Sequence, residues 1–515
     1  MKKKLLTRGM AIARLGMKAH SFKKNEDETV RDAARSYLVQ QMGQLKGLPQ
    51  KVGQIISMSA SEKENPQFMK LVNQGEALPL SVILELLETS WRCSPFDVLE
   101  SIEETGMAAS LGQVHRAFLK DGREVAVKIR YPGIRDAVHN DLKMLGWLSA
   151  PFGGMKKFDM EEYQRVFSET LNQEMDYLRE CQQQKQFYQL SKNSRIYSWI
   201  VPEVIDAWCT DQVLMTSWEQ GEDIHAVCQN WSREEKKQLQ TIIADIFFKC
   251  VFDAGVFHAD PHPGNYAFRK RDGRIEVVMY DFGCVANLST EARMAILKLY
   301  EGVCGQGKYS PYPWYVYLGF NETYLEPIAP KIPWFTEVLM EPFACEIKFD
   351  LSRWNRTARI AEMMADDRWN IRIAAPPSIL LLMRGFAGLF YYLERLGPEM
   401  WLYLYMQDLL KQFEKELLDT IPPVVRLQPV YDDMARWLKI KVTEYGATKV
   451  QITMKRSAVE DLEELLPQDI AQKVRDQNID LSHLVAEARA NIFRPGDIFI
   501  MEIPERHKLI RVWLE

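Results

Sequence analysis

The sequence predicts a mixed α/β (α+β) fold that is rich in helix and built as two lobes, with a helical extension before them and a small α+β domain after them. Strand-like alternation of apolar residues is concentrated in a segment that begins near residue 107 and in the last part of the chain. Apolar residues at helical spacing dominate most of the remainder. A chain of 515 residues has room for about two to four such domains.

Composition narrows the class of protein. Charged residues make up 26% and apolar residues 47% of the chain, and the net charge is −5, whereas nucleic-acid binding needs a strongly basic face. The eight cysteines form no C-x-x-C pair, which indicates reduced thiols in the cytoplasm rather than a zinc ribbon. The basic amino-terminal stretch keeps peripheral membrane contact open as an alternative to a solvated terminus. The apolar stretch Ile373–Leu393 contains two prolines and Arg384, so it is interpreted as a buried core helix with a paired arginine.

The elements follow in order along the chain. Leu38, Met42 and Leu45 recur at helical spacing in the extension. Two strand-like runs then flank Asp121-Gly122, a hairpin turn signal, and Ile421-Pro422-Pro423 marks a linker before two further hairpins. The predicted domains are a helical extension, an amino-terminal lobe, a helical carboxyl-terminal lobe and a small α+β domain, over residues 1–90, 91–221, 222–420 and 421–515.

Five polar residues occur in the order that phosphoryl transfer from ATP requires. Lys128 ends V-A-V-K on the second strand of a hairpin, where a lysine can hold phosphates, and Glu180 lies on a helix that can orient it. Asp260 and Asn265 stand five residues apart in H-A-D-P-H-P-G-N, and Asp281 opens Asp-Phe-Gly after the strand I-E-V-V-M-Y. Asp260 would orient or deprotonate the acceptor, while Asn265 and Asp281 would hold Mg²⁺ through oxygen ligands.

Each motif alone is weak, but the ordered set predicts a nucleotide site in a protein-kinase-like fold. An alternative is a hydrolytic metal site formed by His258, Asp260, His262 and Asp281. The kinase-like interpretation is favoured because it also explains Lys128, and it makes His258 a structural hydrogen-bonding residue.

Two features of ordinary protein kinases are missing. The expected glycine-rich loop is replaced by M-A-A-S-L-G-Q-V from Met107, and alanine lacks the backbone freedom of glycine. No Ala-Pro-Glu follows Asp-Phe-Gly, which disfavours a peptide-docking segment.

The motifs A-A-S-L-G-Q-V-H-R-A, V-A-V-K-I-R-Y-P-G, E-x-D-Y-x-x-E, F-H-A-D-P-H-P-G-N and D-F-G, preceded by L-K-G-L-P-Q-K-V-G-Q, closely resemble the UbiB family of atypical kinases, the aarF-domain-containing kinases. The resemblance covers about residues 35 to 400. It is strongest to the branch that contains the mitochondrial coenzyme Q kinases.

The resemblance implies further roles. Lys51 and Gln54 match the K-x-G-Q signature, whose helix folds over the active site and blocks protein substrates. Glu174 and Asp176 match the E-x-D pair that faces this signature, with Lys51 to Glu174 as the expected bridge. Glu180 matches the helix glutamate that pairs with the strand lysine.

Ala108, Ala109 and Ser110 match the alanine-rich loop that replaces the glycine-rich one, and we expect them to contact the nucleotide. Met107 stands where the family usually has another alanine, and Ser217 where a hinge glutamate is common. The carboxyl-terminal hydrophobic spans of bacterial ubiquinone proteins are replaced by the α+β domain.

The resemblance implies an enzyme that uses ATP or ADP with Mg²⁺, and that hydrolyses ATP or phosphorylates a small or lipid-like substrate. A lipid or quinone precursor and a membrane surface are the expected partners, in support of ubiquinone or other isoprenoid-lipid metabolism. A nucleotide-gated lipid-binding or scaffold protein is the alternative from another class. An ordinary protein kinase is a third possibility, disfavoured by the loop.

Overall fold

A computed structural model describes residues 78–108, 112–132, 175–260, 262–305, 310–425, 435–466, 470, 472–474, 479–491, 493–504 and 507–515. Contacts divide the chain into two compact units. The first runs to Leu288 and includes Pro377–Pro398, and the second comprises Ser289–Pro376 and Glu399–Glu515. The domain ranges given above stay predictions.

The α-helices in the described residues are α1 Leu80–Trp91, α2 Pro95–Val98, α3 Tyr177–Asn193, α4 Ile224–Asn230, α5 Arg233–Phe248, α6 Thr290–Cys304, α7 Tyr312–Tyr317, α8 Glu322–Leu325, α9 Ile332–Ala344, α10 Arg356–Met364, α11 Arg368–Ala374, α12 Pro377–Leu396, α13 Leu402–Gln412, α14 Glu414–Asp419, α15 Leu462–Leu465 and α16 Leu481–Ala490. A π-helical segment, Lys249–Ala254, continues α5. None of the described helices is both long enough and apolar enough to cross a lipid bilayer.

The strands are β1 Leu99–Ile102, β2 Met107–Ala108, β3 Gly112–Leu119, β4 Glu124–Arg130, β5 Trp199–Ile200, β6 Val213–Ser217, β7 Val256–His258, β8 Tyr266–Arg271, β9 Arg274–Met279, β10 Val285–Asn287, β11 Phe349–Asp350, β12 Glu399–Met400, β13 Trp437–Glu444, β14 Ala447–Lys455, β15 Gly496–Ile503 and β16 Lys508–Leu514.

An antiparallel sheet forms the first part of the first unit. Its strand order is β1-β3-β4-β6, with β2 also paired to β3. The hairpin predicted at Asp121-Gly122 joins β3 to β4, and Gly122 has a φ of 86°. Alternation along β4 sends Val125, Val127 and Ile129 to one face of the sheet, where they pack with α1.

The opposite face of the same sheet packs against α3. Tyr177 and Cys181 of α3 contact Leu214 of β6, and Leu214 lies opposite Lys128 in the strand register. Because side chains alternate between faces, the apolar pattern that directs three β4 residues toward α1 directs Lys128 toward α3. The packing of the sheet thus decides which face carries the lysine.

Short strand pairs frame two loops in the same unit. The strand β7 pairs with β10, and β8 forms a hairpin with β9, whose other edge pairs in parallel with β5. The segment between β7 and β8 carries Asp260, and the segment between β9 and β10 carries Asp281. A hydrogen bond of 2.8 Å from Tyr280 N to Asn265 O joins the two segments.

Helix α12 returns from much later in the chain and packs against α5, β7 and β10. Gly385 lets this approach be close, because a Cβ atom at this position would lie 3.4 Å from a ring carbon of Phe247 and 3.5 Å from one of Phe257. The apolar stretch is therefore a core helix, as predicted, and its arginine is carried next to β7.

The second unit contains helices around α9 and a four-stranded antiparallel sheet in the order β14-β13-β16-β15. Both carboxyl-terminal hairpins predicted from the sequence are present. Tyr445 and Gly446 have φ angles of 50° and 77°, as a two-residue hairpin turn requires. An ion pair between the buried Arg456 and the partly exposed Glu337 connects the end of β14 to α9.

Candidate functional site

Lys128 is the centre of a polar cluster beneath the first sheet. Its Nζ atom lies 2.7 Å from Oε1 and 3.0 Å from Oε2 of Glu180, and 3.1 Å from Oδ2 of Asp281. The side chain of Lys128 is 15% exposed and that of Glu180 is 2% exposed, so little water screens this pair. One ammonium group is therefore shared by two carboxylates from distant parts of the chain.

Helix α3 positions Glu180 through its amino-terminal cap. The Asp176 carboxylate accepts a hydrogen bond of 3.1 Å from Arg179 N, which satisfies a backbone donor of the first turn. Glu180 follows one turn later on the buried face, beside Tyr177 and Cys181. Asp176 therefore has a structural role in the helix, and its predicted pairing with the K-x-G-Q signature stays a prediction.

Asp260 and Asn265 lie close together in the loop after β7. Asn265 Nδ2 donates a hydrogen bond of 3.1 Å to the backbone oxygen of Asp260. The Asp260 carboxylate Oδ1 accepts a bond of 2.5 Å from Arg384 Nη2 on α12. Both side chains of this ion pair are largely buried, 12% and 18% exposed.

Asp281 is held by the turn that Asp-Phe-Gly forms. Its backbone is left-handed, with a φ of 49°, and its Oδ1 accepts a hydrogen bond of 3.1 Å from Gly283 N. The neighbouring Phe282 is fully buried and its ring lies 5.0 Å from the ring of Phe187 on α3 and 5.6 Å from that of His258. Packing thus connects Asp281 to the helix that carries the glutamate.

His258 is a structural hydrogen-bonding residue, as the kinase-like interpretation expects. Its Nε2 lies 2.7 Å from the backbone oxygen of Asp281, and Tyr266 Oη lies 3.2 Å from its Nδ1. His262 Nδ1 accepts a hydrogen bond of 3.1 Å from Gly264 N within the loop. In the described part of the chain, no three His, Cys, Asp or Glu side chains are grouped as a metal site, so the hydrolytic alternative gains no support.

Electrostatics keep Lys128 charged. Burial opposes its ammonium form, but the carboxylates of Asp281 and Glu180 outweigh that penalty and hold the pKa of Lys128 well above its usual value. Burial raises the pKa of Glu180 to about 7, against the attraction of Lys128, and the charge of Asp281 adds to the rise. The raised pKa of Lys128 thus reflects its two carboxylate neighbours, and the raised pKa of Glu180 reflects burial beside a second carboxylate.

The structure thus brings five predicted residues into one unit: Lys128, Glu180, Asp260, Asn265 and Asp281. Ala108 ends β2 and pairs with Gln113 of β3. Five other predicted residues lie outside the described residues: Lys51, Gln54, Ala109, Ser110 and Glu174.

Two site features were not foreseen. The isolated charge of Arg384 in an apolar helix predicts that it has a partner. It does not predict that the partner is Asp260, which is 124 positions away. Tyr177 places its ring next to Lys128, with Nζ 5.1 Å from the ring centroid. The sequence signal for this contact is the position of Tyr177 in the motif E-x-D-Y-x-x-E, one helical turn before Glu180.

The raised pKa of Glu180 predicts that the stability of the fold depends on pH. Its pKa of about 7 in the folded protein exceeds the ordinary value of 4.5, so between these values the folded chain binds the proton more tightly than the unfolded chain. The free energy of unfolding should therefore fall as the pH rises from about 5 to about 8, by up to about 3 kcal/mol relative to Glu180→Gln. Urea unfolding midpoints of both proteins across this range measure the difference. A wild type that gains stability relative to Glu180→Gln would show that attraction to Lys128 outweighs burial.

Asp260→Asn should lower the free energy of unfolding by about 1–3 kcal/mol, because it leaves the partly buried guanidinium of Arg384 without its carboxylate. In a double-mutant cycle with Arg384→Met, the two losses should not add. Asp272→Asn, the same change at an exposed turn, is the control and should have little effect. Additive losses at Asp260 and Arg384 would contradict a direct coupling.

Known proteins resemble this chain over about half of its length. Residues 70–308, a little under half of the chain, match the model of the ABC1 atypical kinase-like domain. The probable serine/threonine-protein kinase abkA of Dictyostelium discoideum is 27% identical over 53% of this chain and 50% of its own length. The mitochondrial atypical kinase COQ8B of Rattus norvegicus is 27% identical over 50% of this chain and 49% of its own length. The matches therefore span about half of these relatives.

A solved structure supports the fold. The complex of Rv3197 with erythromycin from Mycobacterium tuberculosis has a TM-score of 0.52 and 24% identity, over 74% of this chain and 97% of that one. The predicted kinase-like fold class is confirmed. The match over residues 70–308 confirms the resemblance to the aarF-domain atypical kinases that the motifs carry, and the AarF domain-containing kinase 1 of Drosophila melanogaster is 28% identical over 52% of this chain and 53% of its own length.

Proposed function

We propose that this protein binds ATP or ADP with Mg²⁺ and transfers the γ-phosphoryl group of ATP to water or to a small or lipid-like acceptor. The observation that carries the proposal is the buried ammonium of Lys128 between the carboxylates of Glu180 and Asp281. A buried lysine that keeps its charge on a strand facing a glutamate helix is what binding of nucleotide phosphates requires.

The side-chain oxygens of Asn265 and Asp281 are ligands of the kind that Mg²⁺ prefers. Asn265 uses its amide nitrogen as a donor to Asp260 O, which leaves the amide oxygen to act as a ligand. Asp281 offers carboxylate oxygens, and Glu180 would keep Lys128 in place when Asp281 binds metal. Bound Mg²⁺ would neutralise charge on the phosphates during transfer.

Asp260 is the residue that would face the acceptor. The acceptor oxygen would form a bond to the γ-phosphorus, the bond from that phosphorus to the bridging oxygen would break, and ADP would leave with the electron pair. Asp260 would orient the acceptor hydroxyl and receive its proton. The ion pair with Arg384 would hold the Asp260 carboxylate in position for both roles.

The acceptor class and the biological setting rest on the family. Relatives named atypical kinase COQ8B and coq-8, both mitochondrial, support a role in ubiquinone or other isoprenoid-lipid metabolism. A lipid or quinone precursor at a membrane surface is therefore the partner that we propose. Peripheral contact with that surface is part of the same proposal.

Mg²⁺-dependent ATP turnover, measured with and without anionic vesicles, tests this function. Turnover should rise on vesicles and fall about 100-fold in Asp281→Asn, because the metal loses a carboxylate ligand. Asp272→Asn is the matched control: it makes the same change at the exposed turn between β8 and β9, and should leave turnover unchanged.

One outcome would contradict catalysis, and a second would then identify the alternative. If wild type binds nucleotide but shows no turnover under either condition, the enzyme proposal fails. Nucleotide-dependent vesicle binding that survives Asp260→Asn would then favour a nucleotide-gated lipid-binding protein.

A further inference from the structure

Tyr177 is a buried residue at the first turn of α3 whose chemistry the proposed reaction does not yet use. It is 1% exposed, and its ring lies next to Lys128, with Nζ 5.1 Å from the ring centroid. The electron-rich ring face attracts the ammonium group. Tyr177 therefore lies against the same lysine that Glu180 orients.

The hydroxyl of Tyr177 has no hydrogen-bond partner among the described residues. Burial raises the pKa of this hydroxyl well above its usual value, and the nearby charge of Glu180 adds to the effect. The group therefore stays protonated and can donate a hydrogen bond. Folded proteins leave few buried donors unpaired, because an unmade bond costs the full desolvation of the group.

The hydroxyl lies where the alanine-rich loop joins β3. A Cβ atom at Gly112, the first residue of that strand, would come within 2.6 Å of Tyr177 Oη and 2.4 Å of the backbone oxygen of Ile129. Only glycine leaves room at this point for the tyrosine. The unpaired donor thus lies against the first residue of β3, on the ring that contacts the lysine of the proposed phosphate site.

We propose that Tyr177 Oη donates a hydrogen bond to a phosphate oxygen of the bound nucleoside diphosphate or triphosphate. This inference rests on the proposed function and adds a binding residue to it. A phosphate beside Lys128 is an anionic acceptor, which makes a hydrogen bond stronger than a neutral partner would. The Tyr177 hydroxyl on α3 would thus donate to the phosphates a hydrogen bond of the kind that the backbone N–H groups of a glycine-rich loop donate.

Tyr177→Phe tests the hydroxyl because it keeps the ring. Dissociation constants for MgADP, ADP with a chelator, and adenosine are measured by calorimetry or by competition with a fluorescent nucleotide. Binding of MgADP and ADP should weaken about tenfold, which is about 1.4 kcal/mol, and binding of adenosine should not change. The free protein should be as stable as wild type or more stable, since the change removes an unpaired buried group.

Two further variants complete the design. Tyr197→Phe makes the same change at a residue that is 76% exposed, and should leave every constant unchanged. Tyr177→Leu also removes the ring, and should weaken MgADP binding more than Tyr177→Phe because Lys128 loses its aromatic neighbour.

The outcomes separate this inference from the proposed function. If wild type binds MgADP and Tyr177→Phe binds it equally well, the inference is wrong and the proposed function stands. An equal loss for adenosine, or a free protein destabilised by Tyr177→Phe, would show that the hydroxyl has another partner and would also overturn it. A wild type that binds none of the nucleotides would overturn both.

Discussion

The sharing of one buried ammonium by two carboxylates is the interaction on which the site depends. Lys128 comes from the sheet, Glu180 from α3 and Asp281 from the turn after β9, so a single cation joins three elements of the first unit. When both carboxylates are charged, two negative charges and one positive charge leave a net negative cluster. Such a cluster is stabilised by a further cation, which is the electrostatic reason to expect metal at Asp281 rather than a closed structural ion pair.

The loop with Asp260 uses a second ion pair. Arg384 reaches it because Gly385 allows α12 to approach β7 closely, and the same packing holds His258 against the backbone of Asp281. The two aspartates of the site are therefore positioned by different means. Asp281 is held by local turn geometry and by Lys128, whereas Asp260 depends on a helix that arrives late in the chain. A substitution at Asp260 consequently changes both chemistry and packing.

Local patterns predicted much of this arrangement. The Asp121-Gly122 turn predicted the hairpin whose second strand carries Lys128, and an apolar strand before Asp-Phe-Gly predicted where Asp281 emerges. No strand is predicted over β8, because charged residues occupy its second half, although Asp272-Gly273, with φ angles of 50° and 74°, is a hairpin signal. The Asp260–Arg384 pair could not be predicted, because no local pattern specifies which partner a core arginine meets 124 positions away.

The position at which a divalent cation binds is the most direct test of a metal–nucleotide site in this cluster. Mn²⁺ added with ADP can replace Mg²⁺ as a paramagnetic probe, and electron–nuclear double resonance reports coupling to phosphorus of the bound nucleotide. We predict phosphorus coupling from protein-bound Mn²⁺ in wild type and its loss in Asn265→Ala, since oxygen donors of the loop and the phosphates would hold the metal together. Protein-bound Mn²⁺ without phosphorus coupling, or a coupled signal that Asn265→Ala leaves unchanged, would contradict the assignment of this cluster as a metal–nucleotide site.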